Sequence, residues 1–334
     1  MNMKIAVVGA GAIGGLLAHR LARTGVQVSL YARGATRQAI ERDGLRLVQP
    51  DGTELAPLRL AVSDDAAQLG TQDYVVIAVK GHALPGLAAR LAPLIGADTH
   101  VVSAINGLPW WFLEGIDSAV AGERIEAVDP DGVVSAALPR ERAIGCVVHM
   151  AASTLAPGVV RHNSGNRLEL GAARPVSQDA AARLTALLAS AGFDAVAVAS
   201  IHRAIWAKLW GNMNMNPLSA LSGSTTDRLL DDPRTQALVR RMMEEAVAVG
   251  ERLGVPVGMS IDDRIAVTRQ LGPIKTSMLQ DAEAGRPMEI APILGVFPEL
   301  GARLGVPTPF CEAVLGLLAQ RDANLQHAFQ GRPE

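Results

Sequence analysis

The chain predicts an α/β fold in which a doubly wound sheet with added strands is followed by an all-helical C-terminal domain. Three observations carry that prediction. Apolar runs and helical patterns alternate as far as residue 105, the order that a parallel sheet requires. Short β-like runs divided by turns then occupy residues 125–171. From residue 200 onward apolar residues recur only at helical spacing.

Taken in order, Lys4–Val8 is a short apolar run ending at Gly9, and residues 13–22 carry a helical pattern that Gly25 closes. Residues 26–32 read as a second strand and 58–62 as a weak third. Residues 74–79 form a continuous apolar run of the kind buried on both faces of a parallel sheet. Residues 84–94 read as helix and 100–105 as strand. Val133–Ala137 and residues 143–150, 159–162 and 167–170 read as short strands extending the sheet, partly antiparallel. A helix at 180–190 and a last strand at 195–198 complete a first domain over residues 1–198. The second domain, residues 199–328, reads as helices at 202–216 (stopped by Pro217), 238–253, 260–269, 277–284, 292–304 and 309–326.

Composition narrows the function classes. The 334 residues are 49% hydrophobic and only 3% aromatic, so the cores must pack through Ala, Leu, Val and Ile. The net charge of −2 implies no broad basic field, so no nucleic-acid partner is expected. No charge-free apolar stretch reaches the ~18 residues of a membrane span, and the first residues already follow a strand pattern with no leader-like run. The expectation is a cytoplasmic protein with no membrane partner. Cys146 and Cys311 belong to no metal-ligand spacing and read as buried thiols, and the seven histidines are scattered, so no metal is expected.

Gly9-Ala10-Gly11-Ala12-Ile13-Gly14 stands between the first strand and the first helix. In a Rossmann-type fold this spacing has a physical reason at each glycine. Gly9 permits the tight turn, Gly11 lets the backbone approach a pyrophosphate, and Gly14 lets helix and strand pack closely. The helix N-terminus then faces the phosphates. The main competing dinucleotide is FAD. The second strand ends in Leu30-Tyr31-Ala32-Arg33-Gly34, with no acid before Glu41 to hold ribose hydroxyls. Arg33 suits a 2′-phosphate instead, which favours NADPH/NADP+ over NAD. Arg37 fits either an assisting role or a solvated helix face. Lys80 and Asn106 each follow a strand of the parallel set, where ligands bind in such folds.

In the helical half, Lys208, Asn212 and Asn216 fall at i, i+4 and i+8 and share one helix face. A solvent-facing stripe and a substrate-binding face both fit. Ser277-Met278-Leu279-Gln280 reads as a capping box that starts a helix, and Glu289 as an ordinary first-turn acid or a residue of the chemistry. Met213, Met215, Met242 and Met243 read as packing.

With these residues in view, the chain resembles the ketopantoate (2-dehydropantoate 2-) reductase family over nearly its whole length. The resemblance rests on the glycine motif, Lys80, Asn106-Gly107, Lys208-Leu209 with Asn212 and Asn216-Pro217-Leu218, and Ser277-Met278-Leu279-Gln280-Asp281 with Gly285-Arg286 before Glu289. It implies a helical domain that closes over NADPH and a small 2-oxo acid. It implies that Lys208 is the principal acid/base residue, that Glu289 contacts the substrate hydroxyl and supports catalysis, and that Ser277 binds the carboxylate. Asn212 and Asn216 would line the substrate site, and Asn106 would position cofactor and substrate. The implied reaction is reduction of 2-dehydropantoate to pantoate, within pantothenate biosynthesis. Departures occur at Thr226 and Ile274, near which the family carries further substrate asparagines, and at the bulky Pro109-Trp110-Trp111-Phe112 segment. These leave open a related NADP-dependent dehydrogenase of a bulkier or more hydrophobic acid. A non-catalytic NADP-binding sensor is a further alternative. A monomer and a homodimer both remain open.

Overall fold

The computed structural model describes residues 3–330 and divides into two units. One is formed by residues up to 115 together with 129–204, the other by residues 116–128 together with those from 205 on.

The first unit contains β1 (Lys4–Val8), α1 (Ala12–Ala22), β2 (Gln27–Tyr31), α2 (Gly34–Asp43), β3 (Leu45–Val48), β4 (Glu54–Leu58), β5 (Ala61–Ser63), β6 (Tyr74–Ile77), α3 (Pro85–Ala88), β7 (His100–Ser103), α4 (Val133–Ala137), β8 (Ala143–Ala156), β9 (Val159–Ala172), α5 (Gln178–Ser190) and β10 (Asp194–Ala197). The sheet runs β4-β3-β9-β8-β7-β6-β1-β2-β5, and β10 pairs with β9. Strands β5, β2, β1, β6, β7 and β8 are parallel to their neighbours, while β8 and β9 form an antiparallel hairpin. Sequence explains the centre of the sheet. All four residues of β6 and four of five in β1 are buried, as expected where helices cover both faces. Ile5, Val7, Leu16, Leu17, Leu21 and Val160 join one core that also holds Leu184 and Leu188 of α5. The Rossmann-type sheet with added strands is thus present as read.

Several local expectations are corrected. The weak third strand at 58–62 is instead the end of β4 and the start of β5, which pair with different neighbours, and β3 and α2 add to the order. Residues 84–94 form α3 and then a 3-10 run at Ala89–Leu94 containing Pro93. Val133–Ala137 is helical, because the Asp129 carboxylate accepts the N–H groups of Val134 (2.8 Å) and Ser135 (3.3 Å). That cap outweighs the β preference of two valines. The three short runs after residue 143 are two long strands. The turn-like residues Asn163 to Asn166 form an irregularity inside β9, where the register with β8 shifts and Gly165 takes φ +69°.

The second unit is all helical: most of α6 (Ile201–Ser222), then α7 (Thr226–Asp231), α8 (Pro233–Arg252), α9 (Ile261–Gln270), α10 (Ser277–Glu283), a π-helical turn at Ala291–Gly295, α11 (Val296–Leu304) and α12 (Pro309–Gln330). Pro217 does not stop α6 as expected. An interior proline costs about 3 kcal/mol in an isolated helix, but Leu218, Ser219 and Ala220 beyond it are buried and hold the last turn in place. Met213, Met242 and Met243 are buried, Trp206 packs against Phe297 with ring centroids 5.3 Å apart, and the Trp210 indole donates to the Met243 carbonyl at 3.1 Å. Glu245 of α8 accepts the N–H groups of Phe310 (2.8 Å) and Cys311 (2.9 Å), fixing the start of α12. The Glu299 carboxylate accepts Glu126 N–H at 2.7 Å and Ala127 N–H at 2.8 Å, which ties residues 116–128 to this unit. Both cysteines are free and buried, and burial pushes the Cys311 thiol pKa up, with Glu245 adding to the shift. Among the described residues no helix is long and apolar enough to cross a membrane.

Candidate functional site

The first unit brings its predicted residues to one edge. Tyr31, Val8, Ile77 and Ser103 lie abreast in four adjacent parallel strands, so the chain leaves the sheet at one level in each. Within three residues of that row come Gly9, Arg33, Lys80 and Asn106. Gly9 has φ +99° and donates its N–H to the Tyr31 carbonyl at 3.0 Å. A Cβ on Gly14 would overlap the Gly9 carbonyl and lie 3.1 Å from the Ala78 Cβ. Close packing here therefore requires glycine. Gly11 differs, since a Cβ there would meet nothing within 4 Å. Gly11 precedes α1, whose first turn has neither a side-chain cap nor an acid. Open space beside the uncapped N-terminus of an 11-residue helix fits a pyrophosphate. Ala10 is buried, while Ala12 and Ile13 form the first turn of that helix.

Arg33 and Arg37 separate clearly. Arg37 is engaged by Asp64 at 2.7 Å and by Glu41 at 3.7 Å. Arg33 is exposed beyond the end of β2 and has no ion pair or hydrogen bond from its side chain among the described residues. Its guanidinium is the one available for a 2′-phosphate. Lys80 is exposed and Asn106 half-buried, with Gly107 at φ +81° turning the chain immediately after it.

The bulky segment after Asn106 proves to be interior. Trp110, Trp111 and Phe112 are at most 1% exposed. The Trp111 indole donates to Ser103 Oγ at 3.1 Å, and His202 meets the Trp111 and Phe112 rings edge-on. The Trp111 ring thus packs at the end of β7.

In the helical unit, Lys208 and Asn212 are half-buried on α6, and Asn216 is 5% exposed. The stripe therefore runs from a partly accessible end to a closed one. The start of α10 is corrected by one residue. Thr276 is the cap, accepting Leu279 N–H at 3.2 Å, and Ser277 is the first helical residue with its side chain exposed. Ser277 is thus not required as the helix cap. Glu289 is 5% exposed and stands two residues before the π-helical turn. Such turns place an extra residue in a helix and recur at functional sites.

One feature had no role assigned from sequence. Arg286 pairs with Asp281 at 2.9 Å, and the Arg286 N–H donates to the Asp281 carbonyl at 2.9 Å. With Gly285 at φ +63°, this closes the chain back on α10 three residues before Glu289. An acid and an arginine on either side of a glycine were its visible signal. The two departures from the family pattern are also linked. Thr226 Oγ donates to the Gly272 carbonyl at 3.0 Å and accepts Ile274 N–H at 3.3 Å. That hydroxyl is committed to holding the loop before α10. Among the described residues no group of three or more His, Cys, Asp and Glu side chains is arranged to hold a metal.

Comparison with known proteins adds independent findings. Residues 5–175 match the family model "Ketopantoate reductase PanE/ApbA", and residues 200–322 match its C-terminal counterpart. A 2-dehydropantoate 2-reductase of Mesorhizobium japonicum is 44% identical over 95% of this chain and 97% of its own. A crystal structure described as a candidate ketopantoate reductase from Ralstonia solanacearum MolK2 superposes with TM-score 0.92 and 45% identity, covering 97% of this chain and 99% of that one. The 2-dehydropantoate 2-reductase of Methylococcus capsulatus gives TM-score 0.81 and 30% identity over 97% of this chain and 98% of its own.

Proposed function

The chain belongs to the ketopantoate reductase PanE/ApbA family, and from that premise we propose that it reduces a 2-oxo acid to the 2-hydroxy acid with NADPH, its substrate being 2-dehydropantoate and its product pantoate. Lys208, half-buried on a helix otherwise packed by Ile205, Trp206, Leu209 and Trp210, is the observation that carries the reading. A non-catalytic binding protein has no need of a lysine and a buried glutamate at the two positions where the resemblance implies an acid/base lysine and a supporting glutamate.

The cofactor reading draws support from the open space at Gly11, the uncapped start of α1 and the unengaged Arg33. Lys80 and Asn106 would hold its ribose and nicotinamide side. Bound NADPH supplies a hydride to C2 of the substrate. The carbonyl oxygen then gains negative charge, and the Lys208 ammonium stabilises it and donates the proton that completes the alcohol. Glu289 accepts a hydrogen bond from the substrate hydroxyl. Ser277 donates to the carboxylate, and Asn106, Asn212 and Asn216 orient the substrate and help exclude water.

The test is NADPH oxidation followed at 340 nm with 2-dehydropantoate and a panel of other 2-oxo acids. Turnover should be fastest with 2-dehydropantoate, and Lys208→Ala should lose about 10²–10⁴ in kcat while still binding NADPH. Near-normal turnover by that variant, or cofactor binding by the native protein with no oxidation on any 2-oxo acid, would remove the proposal.

A further inference from the structure

Lys208 is not the only cation associated with its stretch of α6. Gly211 lies three residues on, on the adjoining surface of the helix. A helix interior disfavours glycine relative to alanine, so its presence needs a reason. The reason is Arg264, from α9. Its guanidinium lies against Gly211, in the place where a side chain would begin: a Cβ on Gly211 would overlap Nη2, lie 2.7 Å from Cζ and lie 2.9 Å from Nε.

No counterion accompanies this arginine. Among the described residues its side chain forms no ion pair and no hydrogen bond, and its Nε is closed off from solvent without an acceptor. The carboxylates of α9 itself, and Asp231 of α7, which packs on it, are otherwise occupied. Asp262 pairs with Arg240, Asp263 accepts from Ser260 Oγ at 2.6 Å, and Asp231 takes Arg269. Burial lowers the guanidinium pKa, and no neighbouring acid offsets it. An arginine remains charged under these conditions, so a half-buried guanidinium whose Nε meets neither solvent nor an acceptor is costly unless an anion completes it.

We propose that Arg264 is a carboxylate-binding residue of the helical unit, holding the acid end of the 2-oxo acid whose carbonyl oxygen Lys208 serves. This rests on the proposed reaction and deepens it. The hydroxyl of Ser277 can donate to a carboxylate but carries no charge. The Arg264 fork supplies the charge and planar donors that match two carboxylate oxygens. Gly211 is then a specificity residue, since it makes room for that fork. The substrate class is an acid that keeps its carboxylate free, and an amide or ester of the same 2-oxo compound is discriminated against.

The experiment compares 2-oxo-3-methylbutanoate with its primary amide. Turnover is followed with NADPH, and binding to the NADP+ complex is followed by calorimetry, for the native protein, Arg264→Met, Arg264→Lys and Gly211→Ala. Arg264→Met should raise KM and Kd for the acid by about tenfold to a hundredfold, the loss expected for a charge-assisted hydrogen bond. Its effect on the amide should be small. Arg264→Lys should recover part of the acid preference, and Gly211→Ala, by displacing the guanidinium, should reproduce the loss. Equal losses for acid and amide would mean that Arg264 only packs the helices, and unchanged constants for both would equally overturn the assignment. Native protein that binds the acid through Arg264 without reducing it would sink the reaction and leave the assignment standing. Native protein that reduces the acid with Arg264→Met unchanged would do the reverse, and native protein that binds no carboxylate would overturn both.

Discussion

Gly14 leaves no room for a side chain, because the carbonyl of Gly9 already fills the place of its Cβ. Alanine there must push the helix off the strand. Gly14→Ala should therefore lower thermal stability and weaken NADPH binding together, measured by melting with and without cofactor; a variant as stable and as tightly bound as the native chain would contradict the packing argument. Arg33 makes a narrower prediction. Its side chain supports nothing else in the fold, so Arg33→Ala should melt normally. It should raise the KM for NADPH by about 10-fold to 100-fold and leave that for NADH almost unchanged, since one charge-assisted contact to the 2′-phosphate is lost. Equal effects on the two nucleotides would remove Arg33 from the phosphate site.

At the scale of the element, α12 depends on a residue from another helix. Glu245 holds the first N–H groups of α12, so Glu245→Ala strands them. A buried donor left unsatisfied costs roughly 1–3 kcal/mol, and the loss should appear as a lower Tm and faster amide exchange at Phe310 and Cys311. An unchanged exchange pattern would show that α12 is held by its apolar face alone. This dependence also explains what was legible beforehand. Elements with dense apolar runs, such as β1 and β6, could be read directly, as could the glycine turn, Lys80 and Asn106, because a strand end and a motif each leave a local mark. Elements decided by a distant partner left none. Val133–Ala137 reads as strand until Asp129 caps it, and Pro217 reads as a stop until the burial of Leu218 and Ala220 carries α6 past it. The same limit applies to the site. Spacing alone puts Lys208, Asn212 and Asn216 on one face of α6, whereas the approach of Arg264 to Gly211 becomes visible only when α9 is laid against that helix.

At the scale of the molecule, His19, His100 and His202 all have pKa values held below 6.5, in each case chiefly by burial. In the unfolded chain each ring protonates near pH 6.5, and in the fold only at lower pH. The unfolded state thus binds more protons below that value, so stability is full above about pH 6.5 and falls as pH drops from there. Denaturant midpoints should decline between pH 7 and 5, and His202→Gln should flatten that slope; a flat native profile would refute it. The sheet has a consequence of another kind. Its outer strand β4 contains Pro57, which has no N–H to offer, β5 is three residues long, and β10 is four. At these outer strands an incoming strand would find almost no ladder to zip onto. Association through β4, β5 or β10 is therefore not expected, and strand addition at those edges has little to seed it; the stretch of β8 beyond Gly145, paired with β9 alone, is the longer open edge.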